Sequence, residues 1–178
     1  IESTYGGRSH SDGVDADGLM AQVFDDIVDR GGILIIPAFS IGRTQEILFR
    51  IRALEEAGRI PSLPIILDSP MAIDATEMYA KHHQEHDLEM NALEQKGSTP
   101  LQPRQLRFTR TVEESKRLNG LKGPAVIISA SGMATGGRVP HHLKRRLPHP
   151  SNIVAFVGYQ AHGTPGRRLV DGTDRIRI

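Results

Sequence analysis

Four short apolar runs recur along this chain with no polar residue alternating through them: Ile33-Leu34-Ile35-Ile36, Pro64-Ile65-Ile66-Leu67, Ala125-Val126-Ile127-Ile128 and Ile153-Val154-Ala155-Phe156-Val157. A strand with one wet face alternates apolar and polar side chains, whereas a strand covered on both faces does not. Turn-forming and polar residues bound the runs: Gly31-Gly32 and Pro37 flank the first, and Asp68, Ser129 and Gly158 close the others. Runs this short and so bounded read as buried strands. Between them lie segments with helical spacing, carrying Leu19, Val23, Ile27 and Val28 between Asp15 and Arg30, then Ile47, Leu48, Ile51 and Leu54 between Thr44 and Ala57. Ser69-Pro70 is a helix start, because proline is tolerated at the first helical position. Thr111 and Glu114 form a capping-box pattern that predicts a helix from Val112 to about Asn119. Gly137 to Arg146 and Gly166 to Val170 read as short helices. Strand and helix in alternation predict an α/β domain with a mostly parallel sheet flanked by helices. The stretch from Gln95 to Arg104, with Gly97, Pro100 and Pro103, reads as a loop rather than a domain boundary.

Composition excludes several alternatives. With 38% apolar and 24% charged residues, the 178-residue chain is neither a disordered tail nor a fibre. No apolar run approaches the roughly 18 residues that a membrane-spanning helix needs. The absence of cysteine rules out disulfides and thiolate metal sites, and fits a cytoplasmic location. The first residue is Ile1, inside a polar cluster that resembles a strand-to-loop junction, so a fragment of a longer protein is expected. The net charge of +1 conceals a strong asymmetry. From Ser115 to Val170 there is no Asp or Glu, against nine Lys and Arg, while the remainder carries 13 basic and 21 acidic residues, a balance of −8. Such polarity predicts that the C-terminal third meets a polyanion.

Ligands of open parallel sheets bind beyond the C-terminal ends of the strands. The residues to inspect are therefore Ser40 to Arg43, Asp68-Ser69, Ser129 to Gly137 and Tyr159 to Thr164, with Glu2 to Tyr5 following a further strand. Ser129-Ala130-Ser131-Gly132-Met133-Ala134-Thr135-Gly136-Gly137-Arg138 is the most distinctive segment. Its glycines and hydroxyls can bring N–H and O–H groups onto an anion, at a helix start that carries about half a positive charge. Arg138 adds a bidentate fork. The segment matches neither the P-loop nor the Gly-x-Gly-x-x-Gly pattern. A tight turn with structural glycines is the competing reading.

His82, His83 and His86 lack the intervening glutamate of His-Glu-x-x-His and sit among polar neighbours, so no metal site is expected there. His141 and His142 are adjacent and diverge by about 100° on a helix, a poor geometry for sharing a metal. A contact with RNA or a structural role is expected for them. No serine lies in Gly-x-Ser-x-Gly, which argues against a serine hydrolase. Phe39 is expected in the core, since aromatics are scarce here and usually buried; the alternative is a place beneath a base.

Five segments jointly resemble the β-CASP subgroup of metallo-β-lactamase nucleases, which process RNA. They are Glu2-Ser3-Thr4-Tyr5-Gly6, the run from Pro37 to Glu46, Asp68-Ser69-Pro70-Met71-Ala72, the Ser129–Met133 loop with Gly136-Gly137-Arg138, and Gly158-Tyr159-Gln160-Ala161 with Gly163-Thr164. The resemblance implies a Rossmann-like β-CASP domain over residues 1–178, truncated at both ends. The partner metallo-β-lactamase domain would hold two zinc ions and lie outside this chain, which has no His-x-His-x-Asp-His and binds no metal itself. Single-stranded RNA would pass between the two domains and be hydrolysed at its phosphodiester bonds, without membrane association. A homodimer is compatible with this. Glu2 matches the family's first catalytic motif, a carboxylate that hydrogen-bonds a histidine, orients its ring and raises its pKa. Arg43, Ser69, Ser129, Ser131, Gly132, Met133, Thr135, Gly136, Gly137, Arg138 and His141 would then hold RNA phosphates or brace the loops that do. Gly7 departs from the acidic or amide residue common at its position. The competing classes are a phosphate- or nucleotide-binding module without catalysis and a scaffold subunit.

Overall fold

The computed structural model describes residues 15–82, 90–91 and 99–176. Helix α1 (Ala16–Arg30) begins at Asp15, whose carboxylate accepts the Gly18 N–H at 2.8 Å, and ends at Gly31 in the left-handed conformation. Then follow β1 (Ile33–Pro37), α2 (Arg43–Glu56), β2 (Ile65–Leu67) and α3 (Pro70–Lys81), the last capped by Ser69 with proline in its first turn. Strand β3 (Leu106–Phe108) leads to α4 (Val112–Arg117), which opens with the predicted capping box of Thr111 and Glu114. A 3₁₀ turn at Leu118–Gly120, β4 (Ala125–Ser129), α5 (Val139–Arg146), β5 (Ile153–Val154) and α6 (Pro165–Val170) complete the described elements.

The five strands form one sheet in the order β3-β2-β4-β1-β5, with every pairing parallel. This is the α/β architecture that the unalternating runs predict. Successive side chains of a strand point to opposite faces, and each face is covered. On one, Leu34, Ile36, Ile65, Leu67, Val126 and Ile128 meet Phe24 and Ile27 of α1, Leu48 and Ile51 of α2, and Ile73 of α3. On the other, Ile33, Ile35, Ile66 and Ile127 meet Val139 and Leu143 of α5, with Leu118 and Leu121 beside them. From β2 the chain moves outward to β3, whereas from the adjacent β4 it moves the other way, past β1 to β5. The C-terminal ends of β2 and β4 therefore flank a topological switch point, where open α/β sheets form a crevice.

Two details differ from expectation. Leu106–Phe108 is a strand that no apolar run announces, because this edge strand is only partly covered and Arg107 and Phe108 are exposed. The fourth run pairs only through Ile153 and Val154, followed by one bond from Ala155 N to Ile35 O at 2.9 Å. It lies at the other edge, with no neighbouring strand beyond it among the described residues, and its residues are half-buried. No described helix is long and apolar enough to cross a membrane.

Ile127 lies fully buried in the central strand. Ile127→Ala removes buried methyl groups and leaves a cavity, so it is expected to cost about 2–5 kcal/mol. In urea unfolding the midpoint should fall with the slope unchanged; a midpoint within error of the parent would contradict this packing.

Candidate nucleic-acid interface

The loops that follow β1, β2, β4 and β5 are tied to one another at one edge of the sheet. Ala38 N donates to Ser129 O at 3.0 Å, and the Ser40 and Ser69 hydroxyls lie 3.3 Å apart. The Phe39 ring lies against Gly132, where an added Cβ would stand 2.9 Å from ring carbon Cδ2. Gln160 Nε2 donates to Gly132 O at 3.0 Å, and Gly166 N donates to Met133 O at 3.1 Å. Buried Gln45 holds the first loop to α3, through Ser40 O at 3.2 Å and Thr76 Oγ1 at 2.9 Å.

The loop after β4 is organised by its own hydroxyls. Ser131 Oγ accepts the Thr135 and Gly136 N–H groups at 3.1 and 3.3 Å and lies 3.2 Å from Thr135 Oγ1. Gly137 has φ +70°, and a Cβ there would come within 2.4 Å of Ala130 O, so only glycine fits. At least two of the N–H groups expected to meet an anion are thus satisfied inside the loop.

Beneath the loops sits a polar cluster that the sequence does not announce. Asp68, at the end of β2, is fully buried. Its Oδ1 accepts Arg138 Nη1 at 2.7 Å, and its Oδ2 meets Ser115 Oγ at 2.7 Å and His142 Nε2 at 2.6 Å. An ionised carboxylate offers only lone pairs, so the His142 ring carries its proton on Nε2. Arg138 also donates to Thr109 O at 3.0 Å and to Arg110 O at 2.8 Å, and Ser129 Oγ donates to Asp68 O at 2.9 Å. Burial is the largest single influence on Asp68 and pushes its pKa up. The hydrogen bonds from His142, Ser115 and Arg138 together outweigh it and hold the carboxyl below its ordinary value of 3.8.

The structure sorts the sequence candidates by what their side chains can reach. Ser131, Met133, Gly136 and Arg138 are partly exposed and Thr135 and Gly137 fully so, whereas Ser69, Ser129 and Gly132 are buried. Ser69 caps α3 and Ser129 braces Asp68. The Arg138 fork faces inward, where Asp68 and two carbonyls use it. Arg43 pairs with Glu46 and borders a groove shared with α1. His141 is on the solvent side of α5, while His142 turns into the Asp68 cluster. Phe39 is not in the core: it is 49% exposed on the loop after β1, since that loop leaves the covered part of the sheet. Ile41 and Tyr159, from the loops after β1 and β5, and Met71, in the first turn of α3, are exposed at the same strand ends. Ser115 escapes the sequence reading, which marks Asp68, Gln45 and Gln160 only by strand end or motif and His142 only as an RNA contact or structural residue, without their partners. The only signal for Asp68 was its place at a strand end. Glu2 and Gly7, and His83 and His86 of the histidine cluster, lie outside the described residues. Among the described residues no group of three His, Cys, Asp or Glu could hold a metal ion.

A parallel α/β domain with its strand-end loops knitted into one surface at a topological switch point is the class that these features define. The chain belongs to the β-CASP family, for residues 44–169 match the Beta-Casp domain. It is 36% identical over 177 residues to a ribonuclease of Thermus thermophilus, covering 99% of this chain and 41% of that protein. It is 34% identical over 178 residues to transcription termination factor FttA of Methanosarcina mazei, covering 98% of this chain and 28% of that protein. It is 36% identical over 180 residues to an RNase J-like protein of Methanocaldococcus jannaschii, covering 99% and 40%. The chain thus spans less than half the length of these relatives.

The Asp68 cluster yields a stability prediction. The folded pKa lies below the unfolded value near 3.8, so the stabilisation is fully present above that value and is lost as pH falls through the folded pKa. Asp68→Ala should cost about 1–3 kcal/mol at pH 7, because it leaves buried His142 without its acceptor and half-buried Arg138 without its counter-ion. The difference from the parent protein should shrink below about pH 4 in thermal melts run across pH. A pH-independent difference would mean that Asp68 is not ionised in the fold.

Proposed function

We propose that this chain is the RNA-facing cap of a zinc-dependent metallo-β-lactamase-fold ribonuclease, acting in the cytoplasm. The observation that carries this reading is the strand-end surface. There Phe39, Ile41, Met71 and Tyr159 are exposed beside the hydroxyls of Ser131 and Thr135. Exposed apolar side chains among hydrogen-bonding groups suit unstacked bases, which stack on aromatic rings and are read at their edges. They suit equally the surface of a second domain closing over the strand. The names of the relatives, two ribonucleases and a transcription termination factor, support RNA as the polymer.

In this reading residues outside this chain would hold two zinc ions, which would supply Lewis-acid chemistry at the scissile phosphate. The described residues contribute binding and orientation. Ser131, Thr135 and the exposed Gly136-Gly137 backbone face the strand, while Asp68, Arg138 and His142 keep the loop after β4 in place. Arg43 braces the start of α2 through Glu46. Glu2 would position a histidine of the partner domain as a proton donor to the leaving oxygen.

RNA anisotropy titrations test the interface. Single-stranded RNA should bind with log K falling by roughly 0.7 per phosphate contact for each tenfold rise in salt. Phe39→Ala should weaken binding by about 1–3 kcal/mol, the worth of one base–aromatic stack. An unchanged affinity would remove Phe39 from the interface, and a mononucleotide that binds far more tightly than RNA would favour a nucleotide-binding module. In the full-length protein, Glu2→Ala should keep its zinc and cut RNA roughly 10–100-fold more slowly. An unaltered rate would remove Glu2 from the mechanism.

A further inference from the structure

Helix α5 carries the chain from one edge of the sheet to the other. It starts beside the strand-end loops, where Val139 N donates to Ala130 O at 3.0 Å. It ends about 12 Å away, by the length of its eight residues. There Asn152 joins it to the beginning of β1, donating to Arg146 O at 2.8 Å and accepting from Ile33 N at 2.8 Å. At this far edge lies a recess of about 610 Å³ lined by Asn119, His141, Lys144, Arg145, Arg146 and His149. Among the described residues no carboxylate lines it.

Arg146 is only 7% exposed, yet no carboxylate pairs with it among the described residues. Its Nη2 donates to Leu118 O, and its buried Nε has no partner. Burial, and after it the charge of Arg145, push its pKa below the ordinary value. Buried charges are normally paired, because desolvation of an unpaired ion is strongly unfavourable. The C-terminal end of a helix attracts cations, but it carries only about half an elementary charge. Lys144, Arg145 and Arg146 bring three. A link from Arg145 Nε to Asn119 O at 3.1 Å holds the neighbouring turn but neutralises nothing. The recess therefore gathers three cations around its wall, a lining that suits an anion.

We propose that this recess is a second RNA site, at the opposite edge of the sheet from the strand-end loops, where Lys144, Arg145 and Arg146 hold a backbone phosphate. The assignment rests on the RNA-facing reading above and adds a contact far from the strand-end surface. It places His141 in the recess, on the same wall as Lys144 and Arg145.

The test compares the intact protein with Lys144→Ala/Arg145→Ala and with Lys144→Glu, since Lys144 and Arg145 are exposed and their loss spares the core. Anisotropy with single-stranded RNA at several salt concentrations is read beside a thermal melt. Both variants should bind RNA roughly tenfold more weakly. The double variant should show a salt slope smaller by about 0.7, the value of one phosphate contact on a single strand. If the unmodified protein does not bind RNA, the RNA-facing reading itself fails. If it binds RNA and neither affinity nor slope changes in the variants, the recess assignment alone is overturned. A lower melting temperature with unchanged binding would reduce the cations to a clamp between helices and overturn it as well. Inorganic phosphate that raises the melting temperature of the parent but not of the double variant, with RNA binding unaffected, would assign the recess to a free phosphate instead.

Discussion

A carboxylate enclosed at the end of a buried strand must find enough donors to replace water, and the search for them organises this domain. Asp68 draws Arg138 from the loop after β4, His142 from α5 and Ser115 from α4, while its carbonyl holds Ser129. These groups come from segments 47 to 74 residues away in the chain. One of them, α5, covers a face of the sheet, and the loop before it borders the switch point. A network of this kind specifies one arrangement only when every member is satisfied. Here each carboxylate oxygen has a donor, and Arg138 makes two further bonds to the Thr109 and Arg110 carbonyls. The loop after β4 is therefore built on the cluster rather than free to fold around a ligand.

That arrangement changes where binding takes place. The crevice between the ends of β2 and β4 is where ligands of open α/β sheets commonly sit, but the Asp68 cluster occupies it. The surface left for a partner is the outer rim, made of Phe39, Ile41, Met71 and Tyr159 with the hydroxyls of the Ser131 loop among them. Preorganisation favours such a rim, since loops already tied by Gln45, Gln160 and Ser131 lose little entropy on meeting a strand.

The charge of the C-terminal third is distributed between the two edges of the sheet. Arg138 is consumed internally and Arg167 is paired with Asp171, whose carboxylate raises its pKa. The cations of the last turn of α5 have no such partners among the described residues and collect at the far end of that helix. The acid-free stretch from Ser115 to Val170 thus divides its cations between structural pairing at the strand ends and a cluster at the other end of α5.

The sequence by itself determined the layered parallel architecture. Runs such as Ile33–Ile36 and Ala125–Ile128 can be satisfied only by cover on both faces, and local caps at Ser69 and Thr111 set helix starts through bonds within three residues. It also placed the strand-end loops together, since chain order and strand direction set where they lie. Tertiary structure alone decided which polar side chains face outward. Arg138 and His141 read as anion ligands in the chain, but a fork pointing at a phosphate and a fork pointing at Asp68 have the same local sequence. The same holds for His141 and His142, neighbours that the helix turns to opposite environments, and for Phe39, whose exposure depends on where its loop leaves the sheet. Edge position likewise hid β3 and shortened β5, because coverage comes from neighbouring elements rather than from the strand's own residues. Local rules act over three or four residues, and the partners that decide these side chains lie many tens of residues away.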